Sequence, residues 1–333
     1  MSRMRLLAAT LVVVTACHRR PALDDHSAHM SAADLSAGAP RASSSQGTAG
    51  LPPSNNTAVA RLQSSPRHGE WVKVAWEPGS KDSLMAWIVY PSTNRAKSPV
   101  VVVVHEIFGL SSWVRGVADQ VAAEGFIAIA PDLNSRVRGG PSTVELSGDS
   151  ARKIISGVNT TERNRGIIAV ARYAMSQPAA DQKYAVIGYC WGGTTVFAHA
   201  VNGGTTGFVG GVGYYGLPYM TAASPENPAV PIKDSLAKIT KPVVLLNGSK
   251  DTRIAAAMPA LEATMKELGK NYVGKNYEGA IHGFLRAQDD ARTGNAQNPN
   301  PPRDSAEEAA NLAATKDAWP ITVEFLKKNL GIK

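Results

Sequence analysis

Five consecutive valines, at positions 100–104, restrict the possible folds more than any other feature of this 333-residue chain. Side chains branched at Cβ favour strands, and an uninterrupted apolar run lacks the alternation expected of a strand with one face in water. Such a strand is buried on both faces, which is the position of a central strand in a parallel sheet. The valine run therefore predicts an α/β protein with helices on both faces of its sheet.

Alternating strand-like and helix-like patterns extend from residue 70 to residue 330. The strand-like patterns lie at residues 70–76, 84–90, 99–104, 126–130, 184–187, 208–214, 243–246 and 272–277. The helix-like patterns lie at residues 113–124, 161–177, 255–268 and 306–330, with a further start near Gly192 and an interruption of the last helix at Pro320. The first two strands flank Pro78-Gly79 and predict a β-hairpin. In sheets of this class, active sites lie beyond the carboxyl ends of the strands.

The first sixteen residues have the pattern of a secretory signal peptide. Arg3 and Arg5 precede an apolar run at residues 6–14, which is too short to span a bilayer. The following Val14-Thr15-Ala16-Cys17 resembles the lipobox of bacterial lipoprotein precursors. That resemblance implies export, lipidation of Cys17 and attachment to a membrane on the periplasmic or cell-surface side. The alternative is an ordinary secretory signal with an incidental cysteine.

Composition separates residues 17–66 from the rest of the chain. Ala, Ser, Gly and Pro dominate this stretch, and every Trp, Tyr and Phe lies at Trp71 or beyond. A segment of this kind buries too little apolar surface to offset its ordering entropy. We therefore expect an unstructured tether at residues 17–66 and one folded domain at residues 67–333.

Charge and cysteine content exclude several classes of function. The formal charge of +8 comes from scattered Lys and Arg, with no basic run of the kind that binds nucleic acid. Two cysteines are too few for a disulfide framework or for a metal site built from cysteine alone. We expect no nucleic-acid partner, and contact with a membrane only through the N-terminal anchor.

A nucleophile motif follows the predicted strand at residues 184–187. Gly188-Tyr189-Cys190-Trp191-Gly192 matches the G-x-nucleophile-x-G elbow, with cysteine in place of the more usual serine. The sharp strand-to-helix turn leaves no room for a Cβ atom at either glycine, and the N-terminus of the following helix favours a thiolate at Cys190. The alternatives are a buried structural cysteine and a redox-sensing thiol, although the folded domain offers no second cysteine to resolve the latter.

A cysteine nucleophile requires a base, and position selects one of the seven histidines. His105 precedes the elbow and His199 lies within the helix after it, whereas His282 follows the last predicted strand. The chain order in this fold is nucleophile, acid, histidine, and Asp251 follows the preceding strand. These positions predict a Cys190–Asp251–His282 triad, in which the acid orients the imidazole. The alternative for Asp251 is a turn cap.

Several motifs together resemble the dienelactone hydrolase family. They are His105-Glu106-Ile107-Phe108-Gly109 after the valine run, the elbow Gly188-Tyr189-Cys190-Trp191-Gly192-Gly193, and His282-Gly283-Phe284. The resemblance extends over residues 67–333. It implies one α/β-hydrolase domain with a mostly parallel sheet, no cofactor, and hydrolysis of a lactone or small ester through a cysteine thioester.

The resemblance also implies roles for residues outside the triad. Glu106 takes part in forming the thiolate, and the backbone N–H groups of Ile107 and Trp191 form the oxyanion hole. Lactonases of the family hold a substrate carboxylate with two arginines, which match Arg286 and Arg136 here, with Arg138 as a rival for Arg136. Tyr214 and Tyr215 are expected to border the cleft. An anionic substrate follows from these assignments, unless both arginines are ordinary surface residues.

Two further motifs are excluded, and one other function remains open. His105-Glu106 is not followed by the second histidine of a zinc-binding H-E-x-x-H, so we expect no metal. Residues 211–216 satisfy G-x-G-x-x-G but lead into Leu217-Pro218 rather than a helix, which argues against dinucleotide binding. The alternative function is a non-catalytic envelope protein that uses the same scaffold for binding.

Overall fold

The computed structural model describes residues 47–92, 95–142, 148–221, 229–289 and 304–332. Within these residues an eight-stranded sheet has the order β1-β2-β4-β3-β5-β6-β7-β8. The strands are β1 (Gly69–Ala75), β2 (Ser83–Val89), β3 (Ser98–Val104), β4 (Ile127–Asp132), β5 (Ala180–Tyr189), β6 (Phe208–Tyr214), β7 (Val243–Gly248) and β8 (Tyr272–Tyr277). Strand β2 is antiparallel to β1 and β4, and the other neighbours are parallel. The predicted α/β class and the N-terminal hairpin are both confirmed.

Helices pack on both faces of the sheet. In the described part of the chain they are α1 (Ala58–Ser64), α2 (Ser112–Ala123), α3 (Ser135–Arg138), α4 (Gly148–Ser156), α5 (Thr160–Met175), α6 (Trp191–Val201), α7 (Lys233–Leu236), α8 (Thr252–Glu267) and α9 (Ser305–Leu330). Helices α2, α5, α6, α8 and α9 connect or follow strands. Since crossovers between parallel strands run over a face of the sheet, these helices exclude water from it.

The valine run forms the buried centre of the fold. All five valines of β3 have an exposed fraction of 0%. The strand lies between β4 and β5, parallel to both. Burying one such side chain contributes about 1.5–3 kcal/mol, so this strand is a large part of the core. It also fixes the position of the residues that follow it, beginning with His105.

The last helix continues through Pro320 instead of being interrupted there. Proline removes one backbone hydrogen bond, in this case to the carbonyl of Lys316. Pro320 and Lys316 both lie on the exposed side of α9, where water can replace the lost bond. Their neighbours Ala318 and Trp319 are buried against the domain. Packing of this opposite face keeps the helix continuous, so the predicted interruption was wrong.

The predicted tether is wrong for residues 51–66, which pack on the domain. Leu51, Ser54, Thr57 and Ala58 are each buried, with no more than 7% of the residue exposed, and α1 lies within the same segment. The composition of this segment underestimates its tendency to become ordered. A few apolar groups and backbone carbonyls are enough to hold a segment in place when they pack against a surface that the rest of the domain has already formed. Residues 1–46, which include Cys17, lie outside the described residues. Within the described ranges, no helix is both long enough and apolar enough to cross a membrane.

Candidate active site

The elbow has the strained geometry that its sequence predicts. Cys190 lies between β5 and α6 with φ 55° and ψ −117°. Holding a side chain at positive φ costs about 1–3 kcal/mol, and tight packing around the turn maintains it. A Cβ atom at Gly188 would lie 2.3 Å from the Gly192 carbonyl oxygen, and one at Gly192 would lie 2.4 Å from the Val104 carbonyl oxygen. Both glycines are therefore required by close backbone approach, and the Cys190 side chain remains partly accessible.

Asp251 uses its two carboxylate oxygens for different purposes. Oδ1 accepts a hydrogen bond from the Ile254 amide, which caps the start of α8. Oδ2 lies 2.5 Å from Nδ1 of His282. The two readings of Asp251 from the sequence, a cap and a partner of the histidine, are therefore both present. Because the cap fixes the carboxylate, it also fixes the direction in which the imidazole is held.

His282 lies between Asp251 and Cys190. Burial by itself would lower the pKa of His282, but hydrogen bonds to Asp251 and to the Cys190 side chain raise it to about 10. The pKa of Asp251 is correspondingly lowered: burial raises it, but the hydrogen bond to His282, the charge of His282 and the Ile254 amide together outweigh burial. The imidazole edge is still 41% exposed. The carboxylate of Asp251 and the sulfur of Cys190 both stabilise the protonated form of the imidazole.

Glu106 and Arg286 form a largely buried ion pair beside this group. Arg286 Nη1 donates to Glu106 Oε2 at 3.0 Å, and the two side chains are only 14% and 5% exposed. The guanidinium also lies over the ring of Phe108, with 4.9 Å to the centroid. Two of the predicted site residues are thus partners of each other in the structure. The Glu106 charge also adds to burial in raising the pKa of Tyr215.

Of the two predicted oxyanion residues, one lies in the elbow and the other in the turn after β3. Trp191 is the first residue of α6, so its amide is among the N–H groups that lack a partner within a helix. Ile107 lies in the turn that follows β3 and is partly exposed. The Trp191 indole lies between the His105 ring, at 5.7 Å and nearly parallel, and the Arg163 guanidinium, at 4.9 Å. These neighbours hold the residue that follows the nucleophile.

Tyr214 and Tyr215 have different environments. The Tyr214 hydroxyl lies 2.6 Å from Thr322 Oγ1 of α9 and also bonds to the Ala318 carbonyl. This contact departs from the expectation that Tyr214 borders the cleft. Tyr215 packs against His282, with 5.0 Å between ring centroids, at a positive φ of 36°. Its substrate-binding role stays a prediction.

Arg136 is held by two acidic residues that do not belong to the predicted triad. Its guanidinium pairs with Glu162 at 2.9 Å and with Asp82 at 3.7 Å, and its side chain is 51% exposed. It lines a surface pocket of about 500 Å³. The other residues that line this pocket are Asn159, Thr160, Thr161, Glu162 and Arg165. The use of Arg136 by a substrate therefore stays a prediction, and so does that of Arg286, which pairs with Glu106 and lies four residues after His282.

Two residues near the site were not predicted from the sequence. Asn311 of α9 accepts a hydrogen bond from the Ile281 amide and donates to the Ala287 carbonyl, so it holds both sides of the loop that carries His282. Arg163 covers the Trp191 ring. Neither belongs to a local motif, and only the three-dimensional arrangement reveals them. In the described residues, no three His, Cys, Asp or Glu side chains converge as a metal site would require.

Known proteins resemble this chain in sequence and in fold. A sequence model of the "Dienelactone hydrolase family" matches residues 84–330. A "Carboxymethylenebutenolidase" of Pseudomonas putida is 31% identical over 129 residues, which are 38% of this chain and 53% of that protein. A Bradyrhizobium protein described as "Probable 2-oxo-3-(5-oxofuran-2-ylidene)propanoate lactonase" is 28% identical over 221 residues, or 65% of this chain and 83% of that one. The crystal structure of a "Putative Dienelactone Hydrolase" from Klebsiella pneumoniae superposes with a TM-score of 0.58 at 19% identity, covering 80% of this chain and 100% of that chain.

Proposed function

This chain belongs to the dienelactone hydrolase family and is a hydrolase of lactones or carboxylic esters, and from that premise we propose that Cys190 is its nucleophile, His282 its base and Asp251 the residue that orients the base. One observation carries the proposal. Nδ1 of His282 lies 2.5 Å from the Asp251 carboxylate, the Cys190 side chain is among the groups that raise the pKa of His282, and Cys190 itself is held in a strained turn. A structural cysteine has no need of such a turn or of an oriented imidazole.

The proposed reaction has two halves. His282 takes the proton of the Cys190 thiol, and the sulfur bonds to the carbonyl carbon of the substrate. The tetrahedral intermediate re-forms its carbonyl as the C–O bond breaks, and the leaving oxygen receives the proton from the imidazolium. Water then loses a proton to His282 and attacks the thioester, which releases the acid and restores the thiol.

The amides of Ile107 and Trp191 are the proposed donors to the oxyanion. A backbone donor at this position typically contributes about 3–4 kcal/mol to the stability of the transition state. Support comes from the position of Trp191 at the N-terminus of α6, where its N–H has no acceptor within the helix. The helix dipole adds a favourable interaction with the negative charge that develops there.

Arg286 and Glu106 are proposed to select an anionic substrate and to assist formation of the thiolate. The guanidinium of Arg286 is held by Glu106 at 3.0 Å. A substrate carboxylate would compete for the same guanidinium, because its fork matches a carboxylate in shape and charge. Glu106, once released, is then a second carboxylate available beside the nucleophile.

Hydrolysis of p-nitrophenyl acetate tests the assignment. The full chain should release p-nitrophenol with saturable kinetics, and Cys190→Ala and His282→Ala should each reduce kcat by about a thousandfold or more. Equal turnover by Cys190→Ala would refute this nucleophile. No turnover by the unaltered protein on acetate or on any small lactone would refute catalysis and favour the non-catalytic binding protein instead.

We also propose that residues 1–16 direct export and that Cys17 carries a lipid anchor on the periplasmic or cell-surface side. The support is the basic residues, the short apolar run and the lipobox-like Val14-Thr15-Ala16-Cys17. Residues 18–46 would then form the tether between the anchor and the domain. Incorporation of a labelled fatty acid should occur in the unaltered chain and be lost in Cys17→Ala. Equal labelling of both would refute the anchor.

A further inference from the structure

Residues 51–65, here called the N-terminal arm, form a packed element outside the part of the chain that matches the family. The family match begins at residue 84. Ser54, Thr57 and Ala58 of the arm are no more than 1% exposed, and Pro52 and Pro53 are buried as well. An element this well buried constrains whatever it touches.

One side of the arm is attached to α2. The Trp113 indole N–H donates to the Pro53 carbonyl at 3.0 Å, and Arg61 Nη1 donates to Gln120 Oε1 at 2.7 Å. Between these two contacts, a Cβ atom at Gly116 would lie 2.6 Å from Cγ of Pro53. Positions 113, 116 and 120 lie on one face of a helix, so the arm follows that face.

The other side of the arm holds the segment that follows His282. The Asn55 amide donates to the Arg286 carbonyl at 2.9 Å. The Gln288 side chain donates to the Pro52 carbonyl at 2.9 Å, and the Ser54 hydroxyl donates to Asp289 at 2.6 Å. Three hydrogen bonds within a few residues therefore fix the backbone from which the Arg286 side chain extends.

That side chain is the one that reaches Glu106. From the opposite side, Asn311 of α9 bonds to the Ile281 amide and the Ala287 carbonyl. The loop is thus held between α9 and the arm, and the position of its guanidinium depends on both. Since Arg286 and Glu106 are mostly buried, a small displacement of the loop breaks a desolvated ion pair.

We propose that the N-terminal arm is a positioning element of the active site, and that it acts through Arg286 on the charge beside Cys190. The inference deepens the proposed function and rests on it, because the Glu106–Arg286 pair matters to catalysis only if Cys190 is the nucleophile. Residues 51–65 thus have a role in the active site, although their composition alone would suggest that they are only a spacer. No residue of the arm touches the reacting atoms in this account.

Gly116→Ala in the full chain is the most selective perturbation. The new Cβ displaces Pro53, while alanine is otherwise the better residue inside a helix, so the domain should stay folded. Gly140→Ala is the matched control, because a Cβ atom there has nothing within 4 Å. Ser54→Ala combined with Gln288→Met is a second variant, which removes hydrogen bonds without adding bulk. Arg286→Met provides the background in which the arm should have nothing left to position.

The measurement is the rate of alkylation of Cys190 by iodoacetate relative to neutral iodoacetamide, followed on the peptide that contains this residue. Loss of the ordered guanidinium should lower this ratio by about two- to fivefold in Gly116→Ala, in the Ser54/Gln288 variant and in Arg286→Met. Gly140→Ala should leave it unchanged. Gly116→Ala added to Arg286→Met should cause no further fall, since both changes act through the same group.

An unchanged ratio in Gly116→Ala and in the Ser54/Gln288 variant would overturn the inference. An additive fall in the Arg286→Met background would overturn it too, because it would mean a general loosening of the fold. The ratio needs no ester turnover, so the two proposals fail separately. If the protein hydrolyses no ester, the proposed function is refuted. If the protein is active but the ratio of its two alkylation rates does not change when the arm is perturbed, only the inference is refuted.

Discussion

Mild acid should destabilise this protein through His105, which lies at the end of the valine strand with an exposed fraction of 0%. Its Nδ1 lies 2.5 Å from the Glu106 carbonyl oxygen, and its Nε2 accepts a hydrogen bond from the Leu133 amide at 3.1 Å. The carbonyl can only accept and the amide can only donate, so the ring must be neutral with its proton on Nδ1. A second proton would place two donors face to face in a buried site.

The magnitude follows from the pKa of this ring. Burial lowers the pKa of His105 to about 4, although the hydrogen bond to the Glu106 carbonyl acts in the opposite direction. In the unfolded chain the pKa is about 6.5, so the unfolded state binds the proton first as the pH falls. The free energy of unfolding therefore decreases with falling pH below 6.5, and His105 alone removes about 2 kcal/mol between pH 7 and pH 5.

Urea unfolding of the unaltered protein and of His105→Gln, at several pH values from 7 to 5, isolates this contribution. Glutamine can donate and accept but does not titrate in this range. Asp132, whose pKa burial raises to about 6, titrates in both proteins and so cancels in the comparison. The stability advantage of the unaltered protein should shrink by about 2 kcal/mol between pH 7 and pH 5. His68→Gln, at a side chain that is 68% exposed, serves as the control.

A constant difference in stability between the two proteins across this range would contradict the prediction. It would mean that His105 is protonated in the folded state as easily as in the unfolded state. The hydrogen bonds assigned to the His105 ring would then be wrong. His105 would no longer be established as the residue at the end of β3 that contacts both the Leu133 amide and the Trp191 ring.

Three further predictions concern the site. Gly188→Ala should cost more than about 4 kcal/mol of stability or prevent folding, because its Cβ would lie 2.3 Å from the Gly192 carbonyl oxygen. The control is Gly140→Ala, where a Cβ atom would lie in open space, and this variant should unfold at the temperature of the unaltered protein in a thermal melt. The pKa of His282 is raised to about 10, so the stabilisation by its ion pair is complete below pH 6.5 and is lost as the pH rises through 10. The melting temperature should therefore fall more between pH 7 and pH 10 in the unaltered protein than in His282→Gln. Parallel curves of melting temperature against pH would contradict this. Arg286→Ala should raise KM for an anionic lactone by about tenfold or more relative to a neutral one, and an unchanged preference would exclude the carboxylate contact.

Features determined by neighbours in the chain could be predicted from the sequence. The valine run, the two glycines of the elbow and the strand ends that carry Asp251 and His282 all depend on local geometry or on chain order. The α/β class follows from them because a parallel sheet brings the ends of its strands together. The pairing of Asp251 with His282 follows in the same way.

Features determined by distant contacts could not be predicted. The burial of the N-terminal arm depends on Trp113 and Gln288, which lie far away in the chain, so its composition alone indicated a tether. Pro320 is tolerated because the opposite face of α9 is packed. The spacing of Arg136 fitted a substrate contact, but Glu162 and Asp82 hold its guanidinium. Predicting each of these features would require knowing which surfaces of the folded chain contact one another.

If Cys190 is the nucleophile, it forms a thioester with the substrate. Mass spectrometry of protein quenched during steady turnover of p-nitrophenyl acetate should detect this thioester, because water must still hydrolyse the acyl group at that stage. We predict one acetyl group per chain, located on the peptide that contains Cys190 and released by hydroxylamine, with none on Cys190→Ala. Full turnover with no acetyl group on that peptide, or with the group on another residue, would contradict the account.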